Sequence, residues 1–299
     1  MNENKDPLAN FFNSRSPKDV DDFRNILEEA IEVTGANKNL PEIGNFFTEV
    51  EISKKDDHTL TTDVHVPKGE GPFPILVYLH GGGWISGSPK THRKICHRFA
   101  EAGHLVFNVD YALAPENPFP EGFNECLEAI RWAVSNSSEY RGDANKLSVG
   151  GDSAGGNLTA ACAATLSGDS EIDIKKILLI YGVFDFATMT ESVEMQEADL
   201  MVEMMVGSYL GTNRDGSILS DSRISPIHVA EKLPPAHILC GTLDGLITGS
   251  KLLAEKLNAR GIKNEEFYYE NMPHGFLHFE EFFPEARQAI DKMVEFLNN

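Results

Sequence analysis

The chain is short of positive charge. It sets 26 Lys plus Arg against 46 Asp plus Glu in 299 residues, a formal net charge of −20. Such a surplus repels a phosphate backbone or an anionic lipid leaflet unless a local basic patch overrides the mean, and no such patch is present. Nucleic acid and membrane surfaces are therefore excluded as partners. Cysteine is also scarce. Cys96, Cys126, Cys162 and Cys240 lie far apart in apolar segments with no CxxC pair, the pattern of small buried hydrophobes rather than disulfides or zinc ligands. No segment approaches the ~18 uninterrupted apolar residues of a membrane span. The opening Met1-Asn-Glu-Asn-Lys-Asp-Pro7 has neither a basic nor an apolar targeting region. The expectation is a soluble, cytoplasmic chain. Nucleotide-loop spacings and an HExxH zinc helix are missing too, so no metal or organic cofactor is expected.

What is present is an ordinary globular composition, 41% hydrophobic and 24% charged, at a length that buries enough surface to fold without staples. Two alternating stretches, Phe46–Ser53 and Thr59–Val66, read as paired antiparallel strands at a sheet edge. Six short β-favouring runs follow, at Ile75–Leu79, Leu105–Val109, Lys146–Gly150, Ile177–Tyr181, His237–Cys240 and Glu266–Tyr269. Strands of this kind are covered on both faces. Amphipathic segments separate most of them: Thr91–Ala102, Glu121–Ser138, Ala154–Leu166 and Ser250–Arg260, with Glu285–Leu297 closing the chain. Alternating β and α predicts an α/β fold, a mostly parallel, doubly wound sheet of about eight strands. Residues 1–45, with a helix over Asp19–Val33, and residues 186–230 break the alternation and read together as a helical cap. The catalytic domain is then 46–185 plus 231–299. Five of eight methionines, Met189, Met195, Met201, Met204 and Met205, fall in the inserted cap segment, where thioethers can adapt to an apolar ligand or simply pack on the domain beneath.

Gly151-Asp-Ser-Ala-Gly155 carries the chemistry. It is a GxSxG directly after a predicted strand and directly before a predicted helix, the context of a nucleophile elbow that lifts Ser153 Oγ toward a substrate. His80-Gly-Gly-Gly-Trp84 follows another strand and can aim successive N–H groups at one point. The N–H groups of Gly82, Gly83 and Ala154 are the candidate oxyanion donors, each worth on the order of 3 kcal/mol at a transition state. Among the histidines after the serine, His237 sits in a predicted buried strand and His228 in the excursion, whereas His274 follows the last strand on a Pro-Gly turn. His274 is the candidate base, and His278 is assigned to packing or hydrogen bonding. Asp244, after the strand ending at Cys240, is the candidate acid, with Asp185 as its rival; the order Ser153, Asp244, His274 favours Asp244. Asp152 is not read as a nucleophile, because the turn places Ser153 at its apex.

With these pieces in place, the chain resembles the hormone-sensitive lipase-like branch of the α/β-hydrolases, bacterial carboxylesterases included. The resemblance rests on His80–Trp84, Tyr111-Ala-Leu-Ala-Pro-Glu-Asn-Pro-Phe-Pro120, Gly151–Asn157, Asp244-x-Leu246 and His274-Gly-Phe276. It implies hydrolysis of short- to medium-chain carboxylic esters beneath a cap that forms the acyl or alcohol pocket. Two departures, Ala112 where members usually carry Arg and Gly245-Leu-Ile-Thr248 after the acid, fall outside the Ser, His and Asp positions.

The expected mechanism is acyl-enzyme hydrolysis of a small neutral ester by Ser153, His274 and Asp244, with Trp84, Phe276, Met204 and Met205 as pocket walls. An amidase or formamidase would use the same triad. A non-catalytic receptor on this scaffold would typically lack the base, and His274 is present. Oligomeric state stays open, a homo-oligomer included.

Overall fold

The computed structural model describes residue 15 and residues 17–55, 58–191, 196–211 and 216–299. Helix α1 (Val20–Thr34) opens on Asp19, whose carboxylate accepts the Asp22 N–H at 2.9 Å, and closes on Gly35 in the left-handed region at φ 69°. Strands β1 (Asn45–Lys54), β2 (Thr59–Val66), β3 (Phe73–Leu79), β4 (Leu105–Asp110), β5 (Gly142–Asp152), β6 (Ile174–Ile180), β7 (Ala236–Gly241) and β8 (Asn264–Tyr269) form one sheet in the order β1-β2-β4-β3-β5-β6-β7-β8. Only the β1–β2 and β2–β4 pairs are antiparallel; every later pair is parallel. The eight expected strands are all present. The run expected over Lys146–Gly150 lengthens at both ends, because Phe73 pairs with Gly142 and Asp152 with Ile180.

Crossovers α2 (Arg93–Glu101), α3 (Glu121–Asn136), α4 (Ala154–Thr165) and α8 (Ile247–Ala259), with the closing α9 (Pro284–Asn298), cover both faces of the sheet. Within 186–230 lie α5 (Phe186–Glu191), α6 (Gln196–Leu210) and α7 (Gly216–Leu219). Of the cap segments, residues 1–14, 16, 192–195 (Met195 included) and 212–215 lie outside the described residues.

Alternation along the central strands divides the core. Ile75, Val77 and Leu79 of β3 join Phe123 of α3, Leu158 of α4 and Leu253 of α8 on one face. Leu76 and Tyr78, one residue out of phase, join Phe99 of α2 and Phe296 of α9 on the other. The four cysteines are buried and free, as expected. Among the described residues no helix is long and apolar enough to cross a membrane.

Arg24 ties α1 to the domain. Its guanidinium donates to the carbonyls of Ile85 at 2.7 Å and Ala114 at 3.0 Å and grips Glu116 with two further bonds. The first helix is thereby fixed to the chain that continues from the glycine-rich loop after β3.

Candidate active site

Ser153, Asp244, His274 and the glycine loop lie after the carboxyl ends of parallel strands, where open α/β sheets present their ligands. Ser153 directly follows β5, the fifth strand in sheet order. Its backbone holds φ 54° and ψ −119°, a conformation L residues rarely adopt, and its N–H donates to Ile180 O at 2.9 Å. A strained residue at the apex of a strand-to-helix turn is what an elbow demands.

The turn closes only because Gly155 has no side chain. A Cβ there would run into the Leu79 carbonyl oxygen and lie 2.6 Å from that of His80, both on the backbone leaving β3. Gly155→Ala should therefore cost about 3 kcal/mol, at the upper end of ordinary overpacking. An unchanged thermal unfolding midpoint in that variant would show that β3 and α4 do not approach this closely.

His274 and Asp244 complete a hydrogen-bonded chain. His274 Nε2 lies 2.9 Å from Ser153 Oγ, and Nδ1 lies 2.7 Å from Asp244 Oδ2. Asp244 is 3% exposed, and its other oxygen accepts the Leu246 N–H at 2.9 Å, so the carboxylate is oriented from both sides. Desolvation pulls the imidazole pKa down, but the charge of Asp244 and the hydrogen bond to it outweigh this and leave it above the ordinary 6.5. Tyr181 packs its ring edge-on against the imidazole at 5.0 Å. A hydroxyl bonded to an imidazole that is bonded to a buried carboxylate can be activated for attack on a carbonyl carbon.

Asp185 takes no part in this chain. Its carboxylate accepts the Ala187 N–H at 3.1 Å and the Thr188 hydroxyl at 2.9 Å, capping α5 instead.

The loop after β3 lies beside the elbow. Gly82 and Gly83 adopt φ of 126° and 63°. A Cβ on Gly82 would meet Ser86 O, and one on Gly83 would meet Met205 Sδ from α6, so neither position has room for a side chain. Ala154 N–H, in the first turn of α4, has no acceptor within its helix and lies at the positive end of the helix dipole.

Of the expected pocket walls, Trp84 stacks on Tyr209 of α6 at 4.7 Å and packs near Phe186 at 5.1 Å, under the inserted segment. Met204 and Met205 are half-buried against the same core. Phe276 corrects its expectation as a pocket wall. It is fully buried on the opposite face of the sheet, with its ring 6.0 Å from Tyr181 and 5.5 Å from Tyr269. The turn Phe276–His278 after β8 sends it to the core beneath His274.

A small cleft opens beside Asp244, between Gly182–Asp185, Thr188 and Met189 on one side and Gly245, Leu246 and Gly249 on the other. A Cβ on Gly245 or Gly249 would meet nothing within 4 Å. Its three glycines carry no sequence signal as lining, because they present backbone rather than a distinctive side chain.

Two further groups escape sequence reasoning. Asn157 donates through Nδ2 to Val183 O and Ile224 O, both at 2.7 Å, binding α4 to the chain on either side of the inserted helices. Asp152, next to the serine, is 2% exposed and lies between His92 and His278. His278 thus makes a hydrogen bond in a turn, as its assignment to packing or bonding anticipates.

The α/β hydrolase fold family's profile matches residues 76–278. The chain belongs to that family, in its hormone-sensitive lipase-like branch. It is 31% identical over 233 residues to carboxylesterase NlhH of Mycobacterium tuberculosis, covering 74% of this chain and 72% of that one. It is 28% identical to an ethyl acetate hydrolase of Pseudomonas putida, over 93% of this chain and 90% of the other. Among solved structures, an esterase from Pyrobaculum calidifontis superposes with a TM-score of 0.86 at 28% identity, covering 98% of each chain.

Proposed function

We propose that this chain is a serine carboxylesterase acting on short- to medium-chain esters through an acyl-enzyme intermediate. The observation that carries the reading is the unbroken hydrogen-bonded chain from Ser153 Oγ through His274 to buried Asp244. His274 takes the Ser153 proton as Oγ attacks the ester carbonyl. The oxygen that becomes negative rests on the N–H groups of Gly82, Gly83 and Ala154. His274 then gives its proton to the leaving alcohol, and the acyl group stays on Oγ. Water, deprotonated by the same imidazole, attacks the acyl-enzyme and releases the carboxylic acid.

Residues 1–45 and 186–230 act as the cap and residues 46–185 with 231–299 as the catalytic domain. Contacts of α6 with Trp84 and with the Gly83 side of the oxyanion loop support this division. The cleft at Gly182, Gly245 and Gly249 would receive one arm of the ester. A net charge of −20 disfavours anionic substrates, so the substrate is a small neutral ester. The relatives' names, a carboxylesterase and an ethyl acetate hydrolase, point to the same chemistry.

A series of p-nitrophenyl esters from acetate to palmitate tests the proposal. The expected kcat/KM peaks between acetate and octanoate and falls steeply beyond it; a maximum at palmitate would overturn the chain-length assignment, and no turnover of any member would overturn the esterase reading.

A further inference from the structure

Directly behind the reacting groups lies a buried polar cluster that the reaction steps leave unused. Its centre is the Asp152 carboxylate. Oδ1 accepts the Gly81 N–H at 3.1 Å and the Tyr78 hydroxyl at 3.0 Å, and lies 3.1 Å from His92 Nε2; Oδ2 lies 3.4 Å from His278 Nε2. The loop packs so closely on this carboxylate that a Cβ on Gly81 would stand 2.5 Å from Oδ2.

His92 is fixed from its far side. Thr91 Oγ1 donates its own proton to Ser88 O at 2.8 Å, so at 2.8 Å from His92 Nδ1 it can only accept, and the ring donates there. Nε2 lies 3.1 Å from Asp152 Oδ1 and accepts the Gly81 N–H at 3.2 Å, so that one N–H is shared between the imidazole and the carboxylate. The His92 and His278 rings meet edge-on at 4.5 Å, which closes the cluster around the carboxylate.

The chain connectivity gives the cluster its meaning. Asp152 is the residue before the nucleophile, Gly81 the residue before the oxyanion glycines, and His278 lies four residues after the base in the turn Phe276–His278. One carboxylate thus touches all three segments that carry reacting groups, each within four residues of the group it carries.

Resting on the esterase reading, we propose that Asp152, clamped by His92, His278 and Tyr78, is a positioning residue for the reaction: it sets the oxyanion loop, the nucleophile elbow and the base turn in one fixed relation. A buried carboxylate bonded by the Gly81 N–H and the Tyr78 hydroxyl, with two imidazoles packed against it, holds its geometry tightly, and displacement of a reacting group by about 1 Å costs on the order of 100-fold in rate. The placement matters most when the oxyanion forms, since the donors must fit the oxygen of the tetrahedral species rather than that of the bound ester.

The test measures kcat and KM with p-nitrophenyl butyrate, affinity for 1,1,1-trifluorohexan-2-one, which adds Ser153 Oγ to give a tetrahedral oxyanion, and the thermal midpoint. Asp152→Ala is expected to lose roughly 100-fold in kcat with KM within threefold, and to lose trifluoroketone affinity by a similar factor. Asp152→Asn keeps an acceptor for Gly81 and Tyr78 and should recover at least tenfold of that loss. Tyr78→Phe removes a single hydroxyl and folds even if Asp152→Ala does not. It should lose about threefold to tenfold in kcat, matched by the trifluoroketone and not by KM.

Wild-type kcat in both Asp152→Ala and Tyr78→Phe would sink the proposal. So would losses that follow the thermal midpoint while kcat and trifluoroketone affinity diverge. A wild-type chain that hydrolyses none of the esters removes the esterase reading and this inference with it; an active wild type with unaffected variants removes this inference alone.

Discussion

Ser153→Ala should reduce kcat for p-nitrophenyl butyrate by on the order of 10^6, the scale at which loss of a triad serine leaves only binding and the oxyanion donors. The substitution removes one oxygen. Ala adopts the φ of 54° at a strain close to that of Ser, so the elbow and the bond from its N–H to Ile180 O persist. KM should change little, because Oγ contributes to the chemical step more than to holding the ester. Steady-state hydrolysis checks this, together with mass spectrometry after a fluorophosphonate: the wild type gains one adduct and the variant none. Retention of more than about 1% of the wild-type rate would take the nucleophile's role from Ser153.

Exchange of the acid is the second large effect. Asp244→Asn should lower kcat by about 10^4, since the amide leaves the geometry nearly intact but favours the wrong imidazole tautomer. Asp185→Asn should change it by less than twofold, because Asp185 caps α5 and does not touch His274.

The pH profile separates the two further. Protonated His274 cannot accept the serine proton, so activity falls as pH drops through its pKa. Asp244 is what holds that pKa above 6.5 against desolvation, so the acid limb of kcat/KM in the wild type lies above 6.5. Asp244→Asn removes the charge and moves that limb to lower pH, while Asp185→Asn leaves it in place. A limb that moved only in the Asp185 variant would exchange the two assignments.

The residues that could be read from the sequence share a physical property: their signals are local. A strand with Gly151-Asp-Ser-Ala-Gly155 at its end, or His80-Gly-Gly-Gly-Trp84 after another, declares its turn within a few residues, because sharp turns need small residues at fixed offsets. The strands were legible for the same reason, six as short β-favouring runs and the two at the sheet edge by alternation. Chain order then carried Asp244 over Asp185.

What was not legible depends on distance along the chain. Nothing in the letters brings Tyr78, Gly81, His92 and His278 around Asp152, since these residues come from three separate segments that meet only when the sheet forms. His278 shows a possible ligand or donor, but its partner lies 126 positions away. Phe276 misled because a large aromatic beside a candidate base looks the same in sequence whether it faces a substrate or the core. The phase that decides is set by how the turn leaves β8. The cleft by Gly245 and Gly249 is the converse case, a surface where three glycines offer backbone in place of side chains.

The grip of Arg24 on Ile85 O, Ala114 O and Glu116 bears on recombination among relatives. The leading helix looks like an accessory that could be exchanged freely between homologues. Yet its arginine is the donor for two carbonyls in the segments that follow the oxyanion loop and β4, and a donor lost there leaves partly buried acceptors unpaired, at about 1–3 kcal/mol each. Crossover points placed between the first helix and residue 116 would separate these partners. A chimaera that inherits Arg24 and Glu116 from one parent keeps them together, so the useful unit of exchange runs through both and does not end with the helix.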